Sequence, residues 1–316
     1  MNIEKIFDYA RENNISDIHL LEGEKIYFRK DGEIIDYDSS IIVSKDELLE
    51  ICNGKIEEDF AYTDSKNQRY RVNSFLTRGK LALVIRIINK EPIKLKGKFI
   101  NKIIDEKILS LKDGLVLVTG ITGSGKSTTL ANIIEKFNEN KNLKILTIED
   151  PIEYIFENKK SLIIQRELGK DVESFEKALK SSLRQDPDVI ILGEIRDEES
   201  LYSALKLAET GHLVFSTLHT MNTVESVNRL ISMVRSEKKD FIREQLASVL
   251  RFILSQELHR GKKTIPIFEV LNNTKAVANL ILNNKLNQIP TLIESGIENF
   301  MITKEKYLKN LETESD

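Results

Sequence analysis

A glycine-rich segment at residues 120–127 constrains this chain more than any other part of its sequence. It reads Gly-Ile-Thr-Gly-Ser-Gly-Lys-Ser, which has the form G-x-x-x-x-G-K-[S/T], and it follows a short apolar run at 115–119. That order predicts a buried strand, a phosphate-binding loop and then a helix. The glycines let backbone N–H groups turn inward around a polyphosphate, in conformations that a Cβ would obstruct.

The other residue types in this loop have equally specific uses. Lys126 supplies a compact positive charge to the terminal phosphates, and Ser127 supplies a hydroxyl for Mg²⁺. The helix predicted to follow directs the positive end of its dipole at the same anion. The alternative is a glycine-rich turn without a ligand. We predict a nucleoside triphosphate site built from Gly120, Thr122, Gly123, Ser124, Gly125, Lys126, Ser127 and Thr128.

Composition narrows the class of protein. The 316 residues suffice for about two domains, and a net charge of −3 does not favour a nucleic-acid partner. No apolar run approaches the ~18 residues of a membrane span, and the start lacks a signal-peptide pattern. The single cysteine, Cys52, excludes an internal disulfide. We therefore expect a cytoplasmic protein without direct membrane insertion, which would work at a membrane through a partner.

The hydrophobic pattern changes near a polar segment with Pro92 and Gly97. Before it, short β-like runs predict hairpins at 24–35 and 69–88, with a helix from Ser44. After it, strands alternate with helices, as a parallel α/β sheet requires. Strands are predicted at 115–119, 143–148, 189–192 and 213–217, and helices near 127–138, 173–184, 198–209, 223–234, 240–258, 274–284, 290–299 and 303–311. The predicted domains are 1–96 and 97–316.

Two acidic residues should complete the nucleotide site. Glu194 follows the strand at 189–192, where a carboxylate can deprotonate the attacking water or hold Mg²⁺ through a water molecule. Glu149 ends the neighbouring predicted strand and is the expected partner on the water or metal side. A structural role as a helix cap stays open for both residues.

Two histidines flank the last predicted strand. His219 follows its carboxyl end, where it could hydrogen-bond a γ-phosphate or a carboxylate. His212 precedes the strand and so should lie at the opposite edge of the sheet, in an interface or packing role.

Three arginines share one face of the predicted hairpin at 69–88. A two-residue turn at 78–79 places Arg71 opposite Arg86, with Arg69 on the same face. Like charges in this position repel, so an anion or acidic group should lie between them, and guanidinium groups suit phosphate oxygens. Contact with a nucleotide and a salt-bridged sheet face remain equal alternatives.

Taken together, these motifs resemble the type II/IV secretion-system ATPases, and within them the pilus-retraction ATPases of the PilT type. The matching segments are GITGSGKST (120–128), TIEDPIEY (147–154), LRQDPDVIILGEIRD (183–197) and GHLVFSTLHT (211–220). The first domain contributes ISDIHLLEG (15–23) and RYRVNSF (69–75), and the match extends to QIPTLIESG (288–296). The resemblance covers nearly the whole chain.

This resemblance implies a PAS-like α+β first domain joined to a RecA-like P-loop NTPase core, assembled as a hexamer. It implies an ATP and Mg²⁺ site lined by Lys126, Ser127, Glu149, Glu194 and His219. Arg69, Arg71 and Arg86 would contact nucleotide as the domains close. The implied activity is ATP hydrolysis that extracts pilin subunits through a platform protein, with the motor recruited to the cytoplasmic face of the inner membrane.

Two features separate retraction from other roles in this family. Assembly and secretion relatives usually carry additional N-terminal domains and a four-cysteine zinc insertion, whereas this chain begins with the small first domain and has one cysteine. Retraction ATPases carry a stretch of the form AIRNLI, and here residues 276–281 read AVANLI without the arginine. The alternatives are a pilus-assembly or type II secretion ATPase and, ranked below these, a RecA-like nucleic-acid translocase.

Overall fold

The computed structural model describes residues 3–30, 32–37, 41–66, 68–88, 92, 94–260 and 264–314. They form two compact units. The first contains the described residues up to Ile88 together with Pro151–Ile155, and the second contains Pro92–Asp150 and the described residues from Phe156 onward. The sequence predicts a single division at 96/97 and does not anticipate that 151–155 belongs with the first unit.

The first unit is an antiparallel sheet with two helices. The helices are α1 (Ile3–Glu12) and α2 (Lys45–Cys52), and the strands are β1 (Asp17–Leu21), β2 (Tyr27–Lys30), β3 (Glu33–Asp36), β4 (Asp59–Thr63), β5 (Arg69–Thr77) and β6 (Lys80–Ile87). The strand order is β3-β2-β1-β6-β5-β4. The helix predicted from Ser44 is present, and Ser44 with Glu47 forms a capping box at its start.

The hairpin of β5 and β6 has the predicted register. Thr77 pairs with Lys80 across the turn, and Arg71 lies opposite Arg86. Tyr70, Val72, Leu81, Leu83 and Ile85 are buried, as predicted for the core face. Leu76, predicted on the same face, is 50% exposed because it lies beside the turn, beyond the edge of the core. The Asp31 half of the first predicted turn lies outside the described residues.

The second unit has a seven-stranded sheet in the order β13-β12-β7-β11-β10-β8-β9. The strands are β7 (Gly114–Thr119), β8 (Lys144–Glu149), β9 (Leu162–Glu167), β10 (Val189–Leu192), β11 (Leu213–Leu218), β12 (Leu250–Arg260) and β13 (Thr264–Asn272). All neighbouring pairs are parallel except β12 with β13. Strands β7, β10 and β11 are fully buried, which explains their continuous apolar sequences.

Helices cover this sheet, and three more helices follow its last strand within the described residues. They are α3 (Lys98–Glu106), α4 (Lys126–Asn140), α5 (Phe175–Ser182), α6 (Glu198–Glu209), α7 (Thr223–Ser232), α8 (Lys239–Val249), α9 (Lys275–Leu282), α10 (Ile289–Ser295) and α11 (Lys304–Glu314). Two buried apolar clusters, one packed under α6–α9 and one under α3 and α4, hold the helices on the sheet. The predicted α/β core with a parallel sheet is confirmed.

The largest error of the sequence prediction concerns residues 250–258. They were expected to continue a helix from 240, but the helix ends at Val249 and the chain enters β12. Tertiary pairing decides this segment, because β12 adds to β7 in parallel and to β13 in antiparallel register. Strands β9 and β13 were also not foreseen, and α10 ends at Ser295 rather than near 299.

None of the helices in the described part of the chain is long and apolar enough to cross a bilayer. The one cysteine, Cys52, is buried and is not part of a disulfide.

Candidate functional site

The glycine-rich loop lies between β7 and α4, where the sequence predicts a phosphate-binding loop. Gly120, Gly123 and Gly125 have φ angles of 151°, 78° and 86°. Residues with a Cβ rarely adopt these values, so glycine is required by the backbone as well as by the motif. Gly125 immediately precedes Lys126, the first residue of α4. The loop therefore leads directly to a helix N-terminus, which is a favourable position for an anion.

Lys126 is folded over this loop. Its Nζ donates to the carbonyl oxygens of Gly120 at 2.7 Å and Ile121 at 3.1 Å. The same Nζ lies 3.5 Å from Nδ1 of His219, and the hydroxyl of Thr122 lies 3.3 Å from that nitrogen. The lysine and the histidine predicted to meet a terminal phosphate are therefore neighbours.

The register of the sheet brings the predicted residues to one edge. Thr119 of β7 pairs with Leu218 of β11, and Leu192 of β10 pairs with Ser216 of β11 and Ile148 of β8. Since these strands are parallel, the residues that follow them emerge at the same carboxyl edge. Along that edge lie, in order, Gly120, His219, Glu194 and Glu149.

His219 connects the phosphate loop to Glu194. Its Nε2 lies 3.6 Å from Oε1 of Glu194, while its Nδ1 faces Lys126. His212 lies at the other end of β11, as expected, where its Nδ1 contacts the carbonyl of Leu207 at 3.1 Å. The two histidines thus serve opposite edges of the sheet.

Glu194 is not a helix cap. The cap of α6 is Asp197, whose carboxylate accepts from the Ser200 N–H at 2.8 Å. Hydrogen bonds from the Ser200 backbone and hydroxyl lower the pKa of Asp197. The capping alternative for Glu194 is therefore wrong, and its carboxylate is directed to His219 and Arg196 instead.

Two residues that contact the Gly193–Glu194 turn were not assigned from sequence. Nε of Arg196 donates to Oε2 of Glu194 at 3.1 Å, and NH1 of Arg196 lies 3.9 Å from Oδ2 of Asp150. The hydroxyl of Thr217 donates to the carbonyl of Gly193 at 2.7 Å. Arg196 could have been found from the sequence, because a basic residue two positions after Glu194 is a plausible partner for that carboxylate. Thr217 could not, because nothing in the sequence distinguishes it from other residues of a buried strand.

Glu149 ends β8, and Thr147 and Gln165 are among the residues that hold its carboxylate. Oε1 accepts from the hydroxyl of Thr147 at 2.6 Å and from Nε2 of Gln165 at 3.2 Å. No helix begins in the described residues 151–158, so the capping alternative is wrong for Glu149 as well. Gln165 lies on β9, a strand that was not predicted, and therefore it could not be placed from sequence.

The arginines of the first unit have carboxylate and carbonyl partners. Arg71 is paired with Asp59 and, at 3.5 Å, with Glu153, and Nε of Arg69 donates to the carbonyl of Ile152 at 2.8 Å. Nε of Arg86 donates to Asp17 at 2.8 Å. Each arginine has its own partner, and Asp17 on β1 and Asp59 on β4 flank the β5–β6 pair instead of lying between its two opposed arginines. These contacts are those of a salt-bridged sheet face.

The chemistry available at the sheet edge is that of phosphate transfer to water. A lysine and a helix N-terminus can hold a phosphate chain, and a nearby carboxylate can accept a proton. The described residues contain no group of three or more His, Cys, Asp and Glu side chains that could hold a metal ion by themselves. The oxygen donors of Ser127, Glu149 and Glu194 suit Mg²⁺ that is bound jointly with phosphate oxygens.

Comparison with known proteins agrees with this geometry. A family model described as "Type II/IV secretion system protein" matches residues 1–279. A Neisseria gonorrhoeae chain named "Twitching motility protein" is 42% identical over 272 residues, covering 85% of this chain and 72% of its own. The Pseudomonas aeruginosa protein named "Type IV pilus retractation ATPase PilT" is 36% identical over 324 residues, covering 98% and 94%.

A solved structure extends the likeness to three dimensions. The crystal structure of the pilus retraction motor PilT with bound ADP superposes with a TM-score of 0.83 at 34% sequence identity. The superposition covers 98% of this chain and 97% of that one.

Proposed function

The chain belongs to the type II/IV secretion system protein family, and from this we propose that it is an ATP-hydrolysing motor that drives retraction of type IV pili. The relatives named for twitching motility and pilus retraction support the biological role. The observation that carries the chemistry is the row of Lys126, His219 and Glu194 beside the phosphate loop.

Each residue in this row has a distinct proposed role in hydrolysis. Backbone N–H groups of residues 120–128 and the Lys126 ammonium bind the β- and γ-phosphates. Glu194 accepts a proton from the water whose oxygen attacks the γ-phosphorus, while the bond to the bridging oxygen breaks and ADP leaves. His219 contacts the γ-phosphate and orients the Glu194 carboxylate. Glu149 holds a second water at the same edge.

Mg²⁺ is the metal that this site fits. The Ser127 hydroxyl would bind it directly, and Glu194 and Glu149 would hold its water shell, because all three offer the hard oxygen donors that the ion prefers. The ion would supply charge neutralisation at the β- and γ-phosphates.

We further propose the assembly that the family resemblance implies. The chain forms a hexamer, acts on an inner-membrane platform protein of the pilus, and is recruited to the cytoplasmic face of that membrane without inserting into it. Arg69, Arg71 and Arg86 reach the nucleotide of a neighbouring subunit during the cycle, exchanging their carboxylate partners for phosphate oxygens. No nucleic acid takes part.

Phosphate release by the purified full-length chain tests the enzymatic half of this proposal. With ATP and Mg²⁺ we expect turnover that Lys126→Ala removes, because the ammonium that holds the terminal phosphates is lost. Lys136→Ala, on the same helix but paired with Asp105, is the matched control. A pure, folded chain that neither binds nor hydrolyses ATP would contradict the proposal.

Deletion of the gene in its own host tests the biological half. Loss of a retraction motor should leave cells with more surface pili that no longer shorten. Loss of an assembly motor should remove the pili, and loss of a secretion motor should leave the pili normal and secreted proteins retained. ATPase activity that DNA stimulates would favour the translocase alternative.

A further inference from the structure

Gln256, on strand β12, contacts both flanks of the glycine-rich loop. Its side chain is almost completely buried, with a residue exposure of 2%. Nε2 donates to the carbonyl of Ser124 at 2.6 Å, inside the loop, and Oε1 accepts from the hydroxyl of Thr129 at 2.6 Å, in the first turn of α4. One amide therefore connects the loop backbone to the helix that follows it.

The glycines of the loop make room for this strand. A Cβ added to Gly120 would lie 2.3 Å from the carbonyl oxygen of Gln256, and one added to Gly125 would lie 2.9 Å from its Nε2. The first contact involves backbone and cannot be relieved by a side-chain rotation. Two glycines that serve the phosphate chemistry thus also permit close approach of β12, so the loop and the strand fit each other.

An amide is the group that this position requires. The Ser124 carbonyl needs a donor and the Thr129 hydroxyl needs an acceptor, and glutamine supplies both from one planar group. An ionised glutamate would set a carboxylate oxygen against the Ser124 carbonyl. An apolar residue would leave both buried groups without these bonds, which is costly in a dry interior.

The adjacent residue of β12 serves the other side of the site. Side chains alternate along a strand, and Ser255 donates to the carbonyl of Met221 at 3.0 Å, two residues after His219. Lys304 of α11 donates to the same carbonyl at 2.8 Å. Neighbouring residues of one strand therefore hold the two loops that carry Lys126 and His219.

We propose that Gln256 is a positioning residue for ATP binding and hydrolysis, which fixes the Ser124–Gly125 peptide so that the loop N–H groups face the phosphates. It touches no reacting atom and acts through Ser124 and Thr129. This inference rests on the proposed ATPase function, and it adds to the phosphate loop a residue that lies far beyond the motif in the sequence.

The test compares Gln256→Leu and Gln256→Glu with the wild type. At pH 8 both should bind a fluorescent ATP analogue about 10- to 100-fold more weakly, the effect of losing a buried hydrogen bond to the loop. Gln288→Glu, at an exposed glutamine before α10, should leave affinity unchanged. Thermal melting of each full-length chain establishes that the variants are folded.

A pH series separates positioning from a general structural role. A protonated glutamate can again donate to Ser124 and accept from Thr129, so the affinity of Gln256→Glu should recover relative to wild type as the pH falls toward 5. Gln256→Leu should not recover. Thr129→Val combined with Gln256→Leu should cost little more affinity than Gln256→Leu alone, because the leucine already removes the bond that Thr129→Val removes.

The outcomes distinguish the two proposals. A wild-type chain that does not bind ATP contradicts the enzymatic function. A wild-type chain that binds ATP, with folded Gln256 variants of unchanged affinity, overturns the positioning role. If the Gln256 variants do not fold, Thr129→Val removes one of the two bonds to the Gln256 amide from the other side. A folded Thr129→Val chain with wild-type affinity for ATP would then overturn the positioning role as well.

Discussion

Nε2 of His219 lies 3.6 Å from Oε1 of Glu194, and the other ring nitrogen faces the ammonium of Lys126. The imidazole thus stands between the group that holds the phosphates and the carboxylate proposed to accept the proton. Loss of the γ-phosphate could therefore affect Glu194 through the His219 imidazole alone, without movement of the sheet.

Replacing Glu194 by glutamine should reduce kcat by about 10²- to 10⁴-fold, the usual contribution of a general base. Nucleotide affinity should stay within a few-fold of wild type, because Lys126 and the loop remain intact. Phosphate release and analogue binding measure the two quantities separately. Glu198→Gln, four residues later on α6 and paired with Lys238, is the control. Normal turnover in Glu194→Gln would assign the proton to another group.

His219→Ala should lower kcat by about 10- to 100-fold, because the proposed hydrogen bond from the imidazole to the charged γ-phosphate is lost. The side chain is 43% exposed, so stability should change little. His212→Ala is a matched control at the opposite end of the same strand, and it should hydrolyse ATP at the wild-type rate. Equal effects of the two changes would indicate a fold defect rather than a role at the phosphate.

Arg71→Ala tests the proposed contact with a neighbour's nucleotide. We expect kcat to fall by at least about tenfold, because a charge-assisted bond to phosphate is removed. Arg78→Ala, at the turn of the same hairpin, should have no effect. Mixing Arg71→Ala with Lys126→Ala subunits should restore part of the rate, since some interfaces then combine an intact arginine with an intact lysine. Unchanged turnover in Arg71→Ala would leave these arginines a purely structural role.

Asp64 should govern the acid stability of the first unit. Burial raises the pKa of Asp64, but hydrogen bonds from the Gln68 backbone, Arg11 and Tyr70 together lower this pKa by more than burial raises it. The net shift is therefore downward. The stabilisation is therefore present above the unfolded pKa of about 3.9 and is lost as the pH falls through the folded value.

Asp64→Asn should destabilise the first unit by about 1–3 kcal/mol near neutral pH, because a neutral amide replaces the buried carboxylate that accepts from Arg11 and Tyr70, while Arg11 keeps its pair with Asp8. The difference from wild type should shrink below about pH 4. Hydrogen exchange of the β5 amides, followed between pH 3 and 7, measures this. Asp36→Asn, at an exposed pair with Lys25, should change little. A pH-independent difference would show that the charge of Asp64 is not the cause.

The sequence predicted the parallel strands and the residues at their carboxyl ends because both signals are local. Strands β7, β10 and β11 are buried on both faces, so their apolar runs are easy to recognise in the sequence. Gly120 follows β7, Glu194 lies two residues after β10, and His219 follows β11. His219 and Glu194 needed only the rule that parallel strands end at one edge.

The sequence-based prediction failed where contacts between segments far apart in the sequence determine the structure. Residues 250–258 have no periodicity that separates a strand from a helix, and only pairing with β7 makes them β12. Gln256 could not be connected to the loop until that strand was placed. Gln165 was missed for the same reason, and Thr217 because a buried threonine in a strand ordinarily signals packing.

The path of the chain has a consequence for dividing it. Residues 151–155 belong to the first unit, although Asp150 and Phe156 belong to the second. Two contacts hold this segment in the first unit: Arg69 donates to the carbonyl of Ile152, and Arg71 pairs with Glu153. If a protease cut the chain just after Ile88, residues 151–155 of the carboxyl-terminal fragment would still be packed in the first unit, and the two fragments would stay associated. An isolated amino-terminal fragment would lack part of its own surface.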